Sequence, residues 1–101
     1  MMLTSKQRAQ LRSLASTEDT IVIVGKGGIT ENVIAQVSDA LKARELVKGK
    51  VLESALLSAR EACVALSEAC GAEQVQFIGN KFVLYKRNAA DPKIELVKSK
   101  K

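Results

Sequence analysis

The sequence predicts a mixed α/β fold: a four-stranded sheet with helices packed on it, in the order α-β-α-β-α-β-β. Three observations lead there. Ile21 to Val24 is an unbroken β-branched run that ends in the glycine-dense turn Gly25-Lys26-Gly27-Gly28. A second alternating segment, Glu45–Leu52, follows after one helix-length crossover, which implies a parallel pair, right-handed by rule. Near the end, Gly79-Asn80 separates two strand-like runs and reads as a tight hairpin, because glycine takes the positive φ that such a turn needs.

The elements follow in order. Thr4 to Ala15 is the first helix, with Thr4 and Gln7 at capping-box spacing and Leu11, Leu14 and Ala15 on its apolar side. Arg8 and Arg12 lie four apart and share a face, away from the leucines. Ser16 to Asp19 is a short link whose two acids disfavour contact with nucleic acid. After the strand and the glycine turn, Thr30 is the expected N-cap of a second helix ending near Ala43. Val33, Ile34, Val37 and Leu41 recur along it at helical spacing. Ile29 and Ile34 occupy the N′ and N4 positions of that cap, the placing of a hydrophobic staple.

In Glu45–Leu52, Val47, Gly49 and Val51 alternate with Lys48 and Lys50, so one strand face is apolar and the other carries the lysines, opposite the second helix. Gly49 inside the strand marks a candidate bulge. Ser58 to Cys70 is the third helix, with a capping box from Ser58 to Glu61. A stripe of Ala59, Ala62, Cys63, Leu66 and Ala69 faces the sheet, and Gly71 is a natural stop. Ala72–Ile78 and Lys81–Arg87 are the last strands, and Lys81, Lys86 and Arg87 are expected to cluster on their hairpin. Asn88 to Pro92 is a turn. Lys93 to Lys101 is a basic tail with a short apolar Ile94, Leu96, Val97 element, expected either to add an edge strand or to fray.

Length and composition bound what this fold can do. The chain of 101 residues is of the size of one domain, and an apolar fraction of 47% is ample for a core. Sixteen Lys and Arg against 11 Asp and Glu leave a net charge of +5, which favours an anionic partner, most commonly nucleic acid. No apolar run approaches a membrane span, and the first dozen residues lack a signal-peptide core, so the expected location is cytoplasmic. Cys63 and Cys70 lie two turns apart on one helix, too far to bridge, and are expected to be reduced, buried and structural. With no histidine and no C-x-x-C, neither a zinc site nor a metal or organic cofactor is expected.

The stretch from Thr20 to Asn32 carries the chemistry. The first amides of a helix lack internal partners, and the helix dipole places partial positive charge there. Glycines let a phosphodiester approach closely, and Lys26 adds a full charge. A P-loop is absent, because G-x-x-x-x-G-K-[ST] is not supplied. The dinucleotide fingerprint fails because Thr30 stands where its last glycine belongs. What remains is a G-x-x-G loop of the kind that clamps a nucleic-acid backbone.

V-G-K-G-G-I-T-E-N-V-I at Val24 to Ile34, V-Q-F-I-G-N-K-F-V-L-Y-K at Val75 to Lys86 and L-T-S-K-Q-R-A-Q-L-R-S-L-A at Leu3 to Ala15 together resemble the bacterial YhbY-type proteins. These are the stand-alone form of the CRM domain, named for chloroplast RNA splicing and ribosome maturation. The resemblance covers nearly the whole chain with matching element order. It implies a fold similar to the C-terminal domain of translation initiation factor three, RNA binding, and association with ribosomal RNA in precursors of the large subunit. It maps the family's G-x-x-G loop onto Gly25, Lys26, Gly27 and Gly28.

The reading is a non-catalytic RNA-binding module, monomeric by default. Gly25, Lys26, Gly27, Gly28 and Thr30 form its clamp, and Arg8, Arg12, Lys48, Lys50, Lys81 and Lys86 are flanking contacts. Of the three aromatics, Phe77 and Phe82 are expected in the core, which leaves no stacking platform beside Tyr85. Two other classes stay open. One is a small nucleotide-binding protein or enzyme using the same loop, against which stand the missing histidine and serines (Ser58, Ser67) explained by capping or a helix surface. The other is a protein-interaction domain whose basic surface meets an acidic partner.

Overall fold

A computed structural model describes residues 4–87. The Asn88–Pro92 turn and the basic tail lie outside the described residues. The element order is α1 (Ser5–Ala15), β1 (Val22–Val24), α2 (Glu31–Arg44), β2 (Leu46–Val51), a short 3-10 turn (Glu53–Ala55), α3 (Ala59–Cys70), β3 (Glu73–Ile78) and β4 (Lys81–Tyr85). The strands form one mixed sheet in the order β1-β2-β4-β3, with β1 parallel to β2 and the other neighbours antiparallel.

The helices begin where their local chemistry says they should. Thr4 and Ser58 each close a complete capping box, with Gln7 and Glu61 respectively. The Thr30 hydroxyl oxygen accepts the Val33 amide at 3.3 Å. Gly71 stops α3 in the left-handed conformation, φ 68°. α2 stops differently: Glu45 takes φ 65° without being glycine, is fully buried, and its main chain receives the Lys86 amide at 2.9 Å.

α2 and α3 cover one face of the sheet. Val37, Leu41, Ala62, Cys63 and Leu66 pack there on Val22, Val24, Val47, Val51, Phe82 and Leu84. α1 covers part of the other face, where Leu11 and Ala15 meet Leu46, Val75, Val83 and Tyr85. Lys48 and Lys50 therefore do lie on the face opposite α2. Ile29 and Ile34 pack against the larger core, as a staple requires. Both cysteines are free and buried, and burial pushes the Cys63 thiol up to about 11.

Several sequence expectations need correction. Gly49 is not a bulge. It sits in register between Val22 and Phe82, and the Phe82 ring fills the space a side chain would take. The register shift falls instead in β3, between Gln74 and Gln76. That shift turns Phe77 away from the parity of Val75, so Phe77 is 42% exposed at the sheet edge, while Tyr85 is fully buried in the core under α1. On α3 the buried stripe ends on Cys70 rather than Ala69. Ser67 is buried too, donating to the Val64 carbonyl and accepting from Gln74 Nε2. Leu14, on the apolar side of α1, is partly exposed.

Candidate nucleic-acid interface

The glycine turn lies where β1 runs out of the sheet and α2 begins. The Gly28 amide donates to the Gly25 carbonyl at 2.9 Å, closing a β-turn with Lys26 and Gly27 at its tip, both exposed. Gly28 has φ 72°, a conformation costly for any residue with a side chain. The turn consumes the Gly28 amide, and the Thr30 cap consumes that of Val33. The amides of Lys26, Gly27, Glu31 and Asn32 take no hydrogen-bond partner among the described residues. These are the donors an anion could use, together with the Lys26 ammonium and the positive end of α2.

Two other segments share this end of the sheet. The chain leaving β2 passes beside the turn: a Cβ built on Gly25 would lie 3.6 Å from Leu52 Cδ1, and one on Gly28 would lie 3.9 Å from Leu57 Cδ2. The Gly79-Asn80 hairpin is adjacent to the end of β2, since the Val51 amide donates to the Asn80 carbonyl at 2.7 Å. Gly79 has φ 57°, as the hairpin demands.

Register then places the lysines. Ile23 pairs with Lys50, Lys50 with Lys81, and Lys81 with Ile78. Partners in register project to one face, so these four form a row across the sheet, on the face of α1. Ile23, Lys81 and Ile78 are exposed and Lys50 is half-buried. Lys26, Lys50 and Lys81 make no ion pair among the described residues. Lys50 and Lys81 stand directly opposite one another, which is destabilising for like charges. The acids on the segments of this end are Glu31, at the first position of α2, and Glu53, both exposed.

The remaining expected contacts are placed differently. Lys48 Nζ donates to the Ala15 carbonyl at 3.2 Å and Lys86 Nζ to the Cys70 carbonyl at 2.9 Å, each capping the C-terminal end of a helix. Arg8 Nε reaches the Gln74 carbonyl at 3.4 Å, pinning α1 to β3. Arg12 is exposed on the last turn of α1. Lys81 and Lys86 do not cluster, because the length of β4 separates them: Lys81 is at the hairpin and Lys86 lies beyond the other end. Glu18 of the acidic link pairs with Arg44 at 3.7 Å.

Residues 3–86 match the model of the CRS1 / YhbY (CRM) domain. The chain belongs to that family. Among its relatives, Probable RNA-binding protein YqeI of Bacillus subtilis is 43% identical over 95 residues, covering 94% of this chain and 99% of the relative. A Haemophilus influenzae protein named RNA-binding protein is 36% identical over 94 residues, 93% of this chain and 94% of its own. The solution structure of the hypothetical protein SAV1595 from Staphylococcus aureus superimposes with a TM-score of 0.75 at 43% identity, covering 95% of this chain and all of that one. The CRM fold of this chain thus has an experimental counterpart.

Sequence reasoning passed over one part of this CRM domain's loop end. Leu56 is 93% exposed at φ 59°, within the segment that flanks the glycine turn. The signal was the leucine-rich run Leu52 to Leu57 between a strand and a capped helix, of which Ala55 and Leu57 serve the core while Leu52 and Leu56 are exposed. Among the described residues there is no group of side chains suited to a metal ion, and no helix long and apolar enough to cross a membrane.

Proposed function

We propose that this protein is a non-catalytic RNA-binding module that holds the ribose-phosphate backbone on its glycine turn and assists assembly of the large ribosomal subunit. One observation carries the reading: an exposed turn led by Lys26, whose amides are free among the described residues, lies at the sheet end that also displays Lys50 and Lys81, neither ion-paired among the described residues. Membership of the CRM family and relatives named as RNA-binding proteins support RNA as the anion. The amides of Lys26, Gly27, Glu31 and Asn32 receive phosphate oxygens, and Gly25, Gly27 and Gly28 permit the approach. The Thr30 cap fixes the loop against α2. Lys50 and Lys81 hold a neighbouring stretch of backbone, and Arg12 extends the contact along α1. Lys48, Lys86 and Arg8 keep their helices in place and add charge at longer range.

The family resemblance and the basic charge support large-subunit precursor RNA as the natural partner, and a cytoplasmic site of action and a monomeric state belong to the same proposal. Lys26→Ala tests the clamp. Affinity for structured RNA is expected to fall about fivefold to tenfold irrespective of sequence. With Lys26, Lys50 and Lys81 on phosphates, log K against log salt should slope about −2 for a single strand, and the variant should lose roughly 0.7 of it. Unchanged affinity across the salt series would remove the turn from the interface. Sedimentation of the tagged protein tests the partner: it should travel with precursor large-subunit particles, and recovery only in the free fraction refutes the assembly role.

A further inference from the structure

We infer that the Leu52–Leu57 segment is the base-binding half of a site for an unpaired nucleotide whose phosphate lies on the glycine turn. The inference rests on the phosphate reading above and adds what that reading lacks, a reason to choose single-stranded over uniformly paired RNA.

The observations come from the segment itself. Leu56 is 93% exposed, and it holds φ 59°, a backbone region that costs a leucine energy and a glycine none. Leu52 is also exposed. On either side of Leu56, Leu52 and Leu57 reach to within van der Waals range of the positions above Gly25 and Gly28. The displayed leucine is thus held next to the turn by its own neighbours. Burial would relieve the first of these costs and glycine the second, yet the chain keeps a leucine here in water.

The surrounding charge selects the occupant. Lys26 stands on the turn itself, and Lys50 and Lys81 lie at the same end of the sheet on the α1 face, all three without ion pairs among the described residues. An apolar peptide would leave those ammonium groups desolvated and unanswered. An unpaired nucleotide answers both features: its phosphate meets the turn and the lysines, and its base, one sugar away, offers a flat apolar face to leucine. In a duplex that face is stacked on its neighbours and inaccessible. With Phe77 at the far edge of β3 and Phe82 and Tyr85 buried, leucine takes the place an aromatic fills in stacking modules.

The test uses Leu56→Gly in the full chain, because glycine suits φ 59° and the variant should melt no lower than the parent. Its probes are an unstructured RNA oligomer and a duplex of equal charge at one salt concentration. The parent is expected to prefer the oligomer, and Leu56→Gly to lower the oligomer-to-duplex affinity ratio about fivefold. A parent that prefers the duplex, or a variant with an unchanged ratio, overturns the inference. If Lys26→Ala weakens both probes while Leu56→Gly leaves the ratio alone, the clamp stands and the base site falls. If neither variant changes binding, both readings fall. A ratio restored by Leu56→Met but not by Leu56→Ser would separate apolar base contact from a loss of loop shape.

Discussion

Replacing Gly49 with alanine should destabilise the protein out of proportion to the single carbon added. A Cβ built there lies 2.4 Å from Phe82 Cζ, 2.8 Å from Cε1 and 3.0 Å from Cε2. Carbon atoms in contact prefer about 3.5–4.0 Å, so the nearest pair overlaps by roughly 1 Å. Phe82 cannot swing away, since it is fully buried between β2 and α3. Overpacking of this kind costs about 1–3 kcal/mol, and the depth of the overlap points to the upper end. For a domain of this size that is a fall in Tm of roughly 10–20 °C. Thermal melts of Gly49→Ala, Phe82→Leu and the double variant form the assay. The smaller leucine should recover at least about 1 kcal/mol of the alanine penalty, as coupling between touching residues. A single variant that melts within about 2 °C of the parent, or strictly additive effects, would refute the view that the glycine exists to seat the ring.

Two further outcomes follow from the charges and thiols. Lys81→Gln removes one of two opposed like charges, so it should raise stability by about 0.2–1 kcal/mol in urea unfolding while weakening RNA binding; a less stable variant would show that Lys81 has a structural role. Cys63 gives a pH dependence: in the unfolded chain its thiol ionises near its ordinary value of 9.0, whereas burial holds the proton to about 11 in the fold. Between those values the folded state binds more protons, so stability conferred at lower pH is lost as pH rises, by at most about 1.4 kcal/mol per pH unit. Between pH 8 and 10.5 the urea midpoint of the parent should fall relative to that of Cys63→Ala, narrowing any advantage the parent holds, and parallel curves would count against it.

What could be read from the sequence was what local chemistry decides. The two capping boxes, the Thr30 cap, the Gly71 stop and the Gly79 hairpin each depend on residues a few positions apart, and each is present as read. The belonging of Lys48 and Lys50 to one strand face also survived, because alternation is local. The failures involve pairing at a distance. One extra residue between Gln74 and Gln76 reverses the parity of β3, which no count from Val75 to Phe77 could reveal. Whether Gly49 meant a bulge or a ring overhead depended on Phe82, 33 positions later. The opposition of Lys50 and Lys81 likewise exists only in the assembled register. The loop end was half legible: glycines and a lysine announce an anion site, but the leucines beside them look like core until burial is known.

The basic residues divide by what their charge already touches, and that division is the physical argument for where a polyanion would dock. Lys48 and Lys86 donate to carbonyls at the ends of α1 and α3, where a cation also offsets the negative pole of the helix. Drawing either ammonium onto a phosphate would return a carbonyl to solvent and loosen a helix end, so part of any contact energy would be lost in breaking the fold's own hydrogen bond. Lys26, Lys50 and Lys81 have no such tie among the described residues, and two of them repel each other across the sheet. A phosphate between those two removes the repulsion while breaking nothing. Net charge alone could not have distinguished the two groups, since every lysine adds the same unit charge to the sum of +5. The hydrogen bonds do, and they leave the uncommitted lysines at the end of the sheet where the glycine turn opens.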